Sequence, residues 1–192
     1  MKLQNVIVLL ALLKTCVFLG QDFGKPLRIV IDPGHGGIDS GAVGKNGIQE
    51  KDLVLDIAKR LIAQNQEFDG KPVDYFLTRY TDTLISLSDR TKLARTLRAD
   101  LFISLHFNDA LDKNATGVEV YAYNRENSFL EQSIWLGHLL EVRLVSTTNQ
   151  KSRGVKFANF QVLRDLKDVC PAILVELGFI DGVTENNSYQ KD

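Results

Sequence analysis

Two of the chain's three histidines stand at the ends of apolar runs, and two glutamates are placed to join them. His35 follows the run Leu27 to Asp32 in the segment Asp32-Pro33-Gly34-His35-Gly36-Gly37. His106 closes the run in Phe102-Ile103-Ser104-Leu105-His106-Phe107-Asn108. Glu176 lies inside Ile173-Leu174-Val175-Glu176-Leu177-Gly178-Phe179, where a carboxylate must be paired, metal-bound or functional, because burying a lone charge costs several kcal/mol. Glu50 opens the apolar-periodic segment after a glycine-rich stretch. Two imidazoles and a carboxylate can hold a zinc ion with one position left for water, and a further carboxylate can move protons. Taken singly, each residue has a plainer reading: a hydrogen-bonded histidine, a first-turn glutamate favoured by the helix dipole, or a partner for an arginine. No compact motif such as HExxH joins them, so residue chemistry by itself leaves both readings open.

The elements that must position these groups follow from periodicity. Leu27 to Asp32 is rich in branched apolar residues and is ended by Pro33-Gly34, which predicts a strand. The stretch from Gly34 to Gly47 holds six glycines and reads as a loop with unusual backbone demands. Leu53, Val54, Ile57, Ala58, Leu61 and Ile62 recur at helical spacing. Further strands are predicted at Val73 to Thr78, Asp100 to Leu105, Gly117 to Tyr123, Phe160 to Leu163 and Ala172 to Leu177. Further helices are predicted after Ser86 or Ser88 and over Phe129 to Val145. Alternation of strands and helices predicts one α/β domain with a mostly parallel mixed sheet of about six strands and helices on both faces. Sites in such sheets gather beyond the carboxyl ends of the strands, where His35 and His106 fall.

At 192 residues the chain has room for one such domain, and 44% apolar with 24% charged residues is an ordinary globular balance. The net charge of −1 gives no electrostatic reason to expect nucleic acid or an anionic membrane as a partner. Lys2, the apolar runs Val6 to Leu13 and Cys16 to Leu19, and Gly20 resemble a secretory signal, and the run falls short of the roughly 20 residues of a membrane span. This predicts residues 1–20 as an export signal and a location in the periplasm, envelope or medium. Loss of Cys16 with that signal would leave Cys170 without a disulfide partner, as a small apolar packing residue. His138, between Trp135 and Leu139 in a predicted helix, reads as structural.

The segment Ile31-Asp32-Pro33-Gly34-His35-Gly36-Gly37-Ile38-Asp39-Ser40-Gly41-Ala42, with Glu50 following, resembles the opening motif of the zinc-dependent N-acetylmuramoyl-L-alanine amidases. The resemblance continues through Leu77-Thr78-Arg79, Asp89-Arg90, Ala99 to His106, Gly117-Val118-Glu119-Val120-Tyr121, Arg153-Gly154-Val155-Lys156, Val162-Leu163-Arg164 and Pro171 to Phe179. It covers about Leu27 to Glu185. It implies one zinc ion per chain held by His35, Glu50 and His106, with Glu176 as the catalytic acid/base. It also implies cleavage of the amide between N-acetylmuramic acid and L-alanine of peptidoglycan. A monomer with no stable membrane partner is expected. A zinc peptidase acting on another wall amide, or an idle wall-binding domain, are the alternatives. Asp32 and Asn108 are candidate acceptors for the second ring nitrogens of the histidines. Arg79 and Arg153 are candidates either to meet substrate carboxylates or to form salt bridges within the fold.

Two features depart from the family pattern. Phe107-Asn108 stands where an alanine-asparagine pair is common, which places a larger ring near the metal. Family members continue into a final helix, so residues 27–192 are expected to form the catalytic domain without it. The region between Tyr123 and Arg153 has room for one helix and no inserted blocking helix, which predicts an open groove.

Overall fold

The computed structural model describes residues 25–183 apart from 65–66, 69–70 and 113. The expected export signal over residues 1–20, Cys16, and residues 184–192 lie outside the described residues. In chain order the elements are β1 (Leu27–Pro33), α1 (Glu50–Gln64), β2 (Glu67–Phe68), β3 (Lys71–Leu77), α2 (Leu87–Leu97) and β4 (Leu101–Asn108). Then follow β5 (Val118–Tyr123), α3 (Leu130–Thr148), β6 (Ser152–Ala158), α4 (Gln161–Leu166), β7 (Ala172–Phe179) and a single 3₁₀ turn (Ile180–Gly182).

The seven strands among the described residues join one sheet in the order β2-β3-β1-β4-β7-β5-β6. The pairs β1–β3, β1–β4, β4–β7 and β5–β6 are parallel, while β5–β7 and β2–β3 are antiparallel. Helices cover both faces, because the inner strands are apolar at consecutive positions and must be buried twice. Ile29, Ile31, Ile103, Val120 and Val175 pack against Leu53, Val54 and Leu61 of α1 and Leu136, Leu140 and Leu144 of α3. The alternate residues Val30, Phe102 and Leu174 pack against Ala94 of α2 and Val162, Leu163 and Leu166 of α4. Burying each such side chain contributes about 1.5–3 kcal/mol, so the two layers anchor the strand register that the site needs. Cys170 belongs to the second layer, and burial pushes its thiol up to about 12, so it stays an inert thiol.

One predicted element differs, and one strand is unpredicted. The run after Phe160 is helix α4, not a strand: Val162, Leu163 and Leu166 are spaced to share one helix face, and all three are buried. The strand on that side is β6, whose Arg153, Gly154 and Lys156 break the apolar signature. An edge strand tolerates such residues because one side of it lacks a neighbour.

The chain leaves β1 for β3 on one side, then returns past β1 to β4 on the other. That reversal opens a crevice between the carboxyl ends of β1 and β4. His35 follows the end of β1, and His106 lies near the end of β4.

Candidate active site

The crevice brings His35, Glu50 and His106 together: one ligand atom from each lies within 4.8 Å of the others. Glu50 opens α1, and its backbone N–H donates to the carbonyl of Ala42, closing the glycine loop onto the helix start. Its carboxylate stands between the rings, Oε1 being 3.1 Å from His35 Nε2 and 2.9 Å from His106 Nδ1. The backbone N–H groups of Phe107 and Ala42 donate to its two oxygens at 3.0 and 2.8 Å. Burial alone would raise its pKa, but the hydrogen bonds with His106 and His35 win and hold it well below the usual carboxylate range.

The loop that carries His35 is built under constraint. His35 itself has φ +59°, a left-handed conformation that costs a non-glycine residue about 1–3 kcal/mol. Two buried arginines hold it there. Arg79 donates to the carbonyls of Pro33, Gly34 and Lys51, and Arg90 to those of Pro33 and His35. Arg90 Nη1 also lies 2.7 Å from Asp32, whose oxygens accept from Thr78 and Ser104 as well. Asp32 is therefore a buried counter-charge for Arg90, correcting its assignment as an acceptor for a ligand histidine. That acceptor is Asp39: its Oδ2 lies 2.9 Å from His35 Nδ1, at the i+4 position within the same loop. Arg79, 3% exposed, is spent on backbone carbonyls and is closed to substrate.

With carboxylates at both ring nitrogens, His35 is drawn toward the imidazolium. Burial would lower its pKa, but Glu50 and Asp39 together lift it to about 8. A divalent cation held by the three residues would supply the same positive charge, and the contact of Nδ1 with Asp39 would be kept. The donor set of two imidazoles and one carboxylate therefore fits zinc with an open position.

Close approach dictates glycine at two points. A Cβ on Gly34 would fall 2.3 Å from His106 Cε1. One on Gly41, at φ +63°, would fall 2.5 Å from Glu50 Oε2 and 2.6 Å from the His35 ring. Gly34→Ala is thus expected to push His106 out of line and weaken zinc about 10–100-fold, the usual loss when the support of a ligand is disturbed. Competition with a chromogenic chelator would measure it, and wild-type affinity in a folded variant would contradict the account.

Glu176 on β7 is the register neighbour of His106 on β4, so both point to the same sheet face. Its Oε2 is buried and has no hydrogen-bond partner. Burial, aided by the charges of Glu50 and Glu119 and opposed by those of the histidines, lifts its pKa to about 7. A buried carboxylate oxygen without a hydrogen-bond partner, beside a ligand cluster, can change its protonation near neutral pH. A cavity of about 790 Å³ opens over this face, lined by His35, His106, Glu176, Leu84, Leu87 and Phe160 among others. The helix between β5 and β6, α3, packs on the opposite sheet face and leaves the groove clear.

Asn108 does not meet a histidine either; its Nδ2 donates to Glu119 at 2.5 Å. Glu119, 2% exposed, also receives Tyr121 Oη and the cations of Arg153 and Lys156. The periodicity argument gave Asp39, Arg90, Glu119 and Lys156 no role. The available signals were an acid four residues after His35 and a lone charge in the apolar run Val118 to Tyr123.

A parallel-rich α/β sheet brings a His-Glu-His cluster to its switch point, with a buried carboxylate on the adjoining strand, and this is a donor set that can hold a metal ion. The chain belongs to the N-acetylmuramoyl-L-alanine amidase family, whose model matches residues 29–192. It is 40% identical over 163 residues to the sporulation-specific N-acetylmuramoyl-L-alanine amidase of Bacillus subtilis, covering 84% of this chain and 59% of that one. It is 38% identical over 145 residues to the N-acetylmuramoyl-L-alanine amidase AmiA of Salmonella typhimurium, covering 74% of this chain and 48% of that one. The chain thus spans about half the length of these curated relatives. Among solved structures, an N-acetylmuramoyl-L-alanine amidase from Clostridium difficile superposes with a TM-score of 0.75 at 36% identity, covering 86% of this chain and 89% of that one.

Proposed function

We propose that this chain is an exported, zinc-dependent hydrolase of the amide that joins N-acetylmuramic acid to L-alanine in peptidoglycan. The observation that carries the reading is the partnerless Oε2 of Glu176 beside the His35–Glu50–His106 cluster. Family membership supplies the substrate class, and the amidase names of the relatives support it. The apolar start after Lys2 supports export. All four groups come from one chain, so the site needs no second copy and a monomer suffices.

His35, Glu50 and His106 would hold the zinc. When bound, it supplies Lewis acidity toward a water and toward the amide carbonyl. Asp39 keeps the His35 ring in one tautomer and orientation, and the Phe107 and Ala42 N–H groups fix the Glu50 carboxylate. Glu176 Oε2 accepts the proton of the attacking water, then donates it to the nitrogen of the departing alanine, so that the leaving group is a neutral amine.

The deciding experiment is incubation of the zinc-loaded protein with purified peptidoglycan, followed by mass spectrometry. Free stem peptides beginning with L-alanine and peptide-free glycans are expected. Cuts within the peptide would replace this reading with a peptidase, and an intact wall would replace it with a binding domain.

A further inference from the structure

Resting on the proposed function, we infer that Arg153 and Lys156, anchored by the buried carboxylate of Glu119, form a carboxylate-binding subsite for the peptide half of the substrate. The group it takes is the free α-carboxylate of the second stem residue, a glutamate linked onward through its side chain.

The placement follows from the sheet. The order β1-β4-β7-β5-β6 sets the metal cluster, Glu176, Glu119 and the two cations in a row across one face. Glu119 is the direct register partner of Glu176. Glu176 must serve the departing nitrogen, so the peptide half leaves the scissile bond on the β5–β6 side. The glycan half then lies toward Leu84 and Leu87, the apolar wall of the cavity near β1. Adjacent strands are about 4.8 Å apart, which puts β6 roughly 10 Å beyond β7. An extended residue spans about 3.3–3.6 Å, so a group on the second or third residue reaches that far.

The cluster itself is shaped for an anion. Glu119 is 2% exposed and already accepts from Asn108 and Tyr121. It holds Arg153 through Nε at 3.1 Å, and Lys156 through its ammonium. One carboxylate thus serves two cations, leaving an excess of one positive charge. The side chains of Arg153 and Lys156 remain 38% and 40% exposed. Their positions are further fixed by rings: Arg153 Cζ is 5.0 Å from the Phe179 centroid, and Lys156 Nζ is 5.9 Å from that of Tyr121. Pre-ordered, half-exposed cations lose little entropy on meeting an anion, and a guanidinium pairs with a carboxylate in fixed geometry.

The test compares binding of two short ligands to the zinc-loaded protein by calorimetry: L-alanyl-γ-D-glutamate and the same dipeptide with its α-carboxylate converted to an amide. The free acid is expected to bind about tenfold more tightly, as one charge-assisted contact allows. Lys156→Met and Arg153→Gln should each erase most of that preference. On muramoyl peptides bearing the free acid they should raise KM about tenfold with little change in kcat, so that the advantage of the acid over the amidated peptide is lost. Equal binding of the two dipeptides by the wild type, or an undiminished preference in both variants, would overturn the subsite. Preference for the acid without any cleavage of peptidoglycan would instead sink the proposed function and leave the subsite standing.

Discussion

Glu176→Gln is expected to lower the rate of amide hydrolysis by about 10²–10⁴-fold while zinc stays bound. Glutamine keeps the shape of the side chain and leaves His35, Glu50 and His106 untouched, so the metal affinity should match wild type within a few-fold. What is lost is an oxygen that can accept a proton from water and return it to the leaving nitrogen. The same group should set the pH profile. Its pKa is raised by burial to about 7, and a cation in the neighbouring cluster would pull it lower. The working form is the carboxylate, so kcat/KM should fall tenfold per pH unit as the pH drops through that value, with the acidic limb at or below pH 7. The residual activity of the glutamine variant should lack this limb. Hydrolysis by Glu176→Gln within tenfold of wild type would end the acid/base assignment, whatever the metal content.

Arg90→Met should destabilise the folded domain by about 3–5 kcal/mol, a large part of the 5–15 kcal/mol that holds a typical domain together. The Arg90 and Asp32 side chains are 3% and 2% exposed, with their charged atoms 2.7 Å apart. Methionine fills similar volume but strands the Asp32 carboxylate with only the Thr78 and Ser104 hydroxyls. It also removes donors from the carbonyls of Pro33, His35 and Ile85. Adding Asp32→Leu should recover part of the loss, because an absent pair costs less than a broken one. Equilibrium urea unfolding of the two variants measures both effects. A single-variant loss below about 1 kcal/mol would show that the pair does not hold the loop, and that the left-handed His35 is supported elsewhere.

The consequence for function is that the rigidity of the site rests on residues outside the ligand set. Arg79 and Arg90 touch no ligand atom, yet their guanidinium groups fasten the carbonyls on either side of His35. A loop with six glycines would otherwise sample many conformations, and a metal site misplaced by 1 Å loses much of its effect. Planar guanidinium forks reaching several carbonyls at once are the economical way to pin such a loop.

Strand and helix periodicity made the α/β class, the central strands and the strand-end positions of His35 and His106 legible in the sequence. Those signals are local: apolar alternation, glycine punctuation and a 3.6-residue stripe each lie within one element. The ordered motifs then assigned the family. What the motifs did not carry was the work of the charged residues inside them. Asp32 and Asp39 both lie near His35 in the chain, and the acid four residues away is the one that reaches its ring. Asp32, on β1, points to the sheet face where Arg90 arrives from α2. Likewise the short apolar run of α4 cannot reveal its partner, so its sequence does not separate helix from strand, and β6 gives no strand signal because an edge strand needs only half an apolar signature.

By itself, then, the amino-acid sequence determined the α/β class with its central strands and main helices, which groups could ligate a metal and which family the chain belongs to. Only the tertiary structure decided which acid supports His35, that Arg79 is closed to substrate, that Glu176 carries a buried oxygen without a partner, and that Glu119 gathers two cations beside it. The reason is physical: ligation, desolvation and charge pairing act across the sheet between residues tens of positions apart, and strand order and register set those distances.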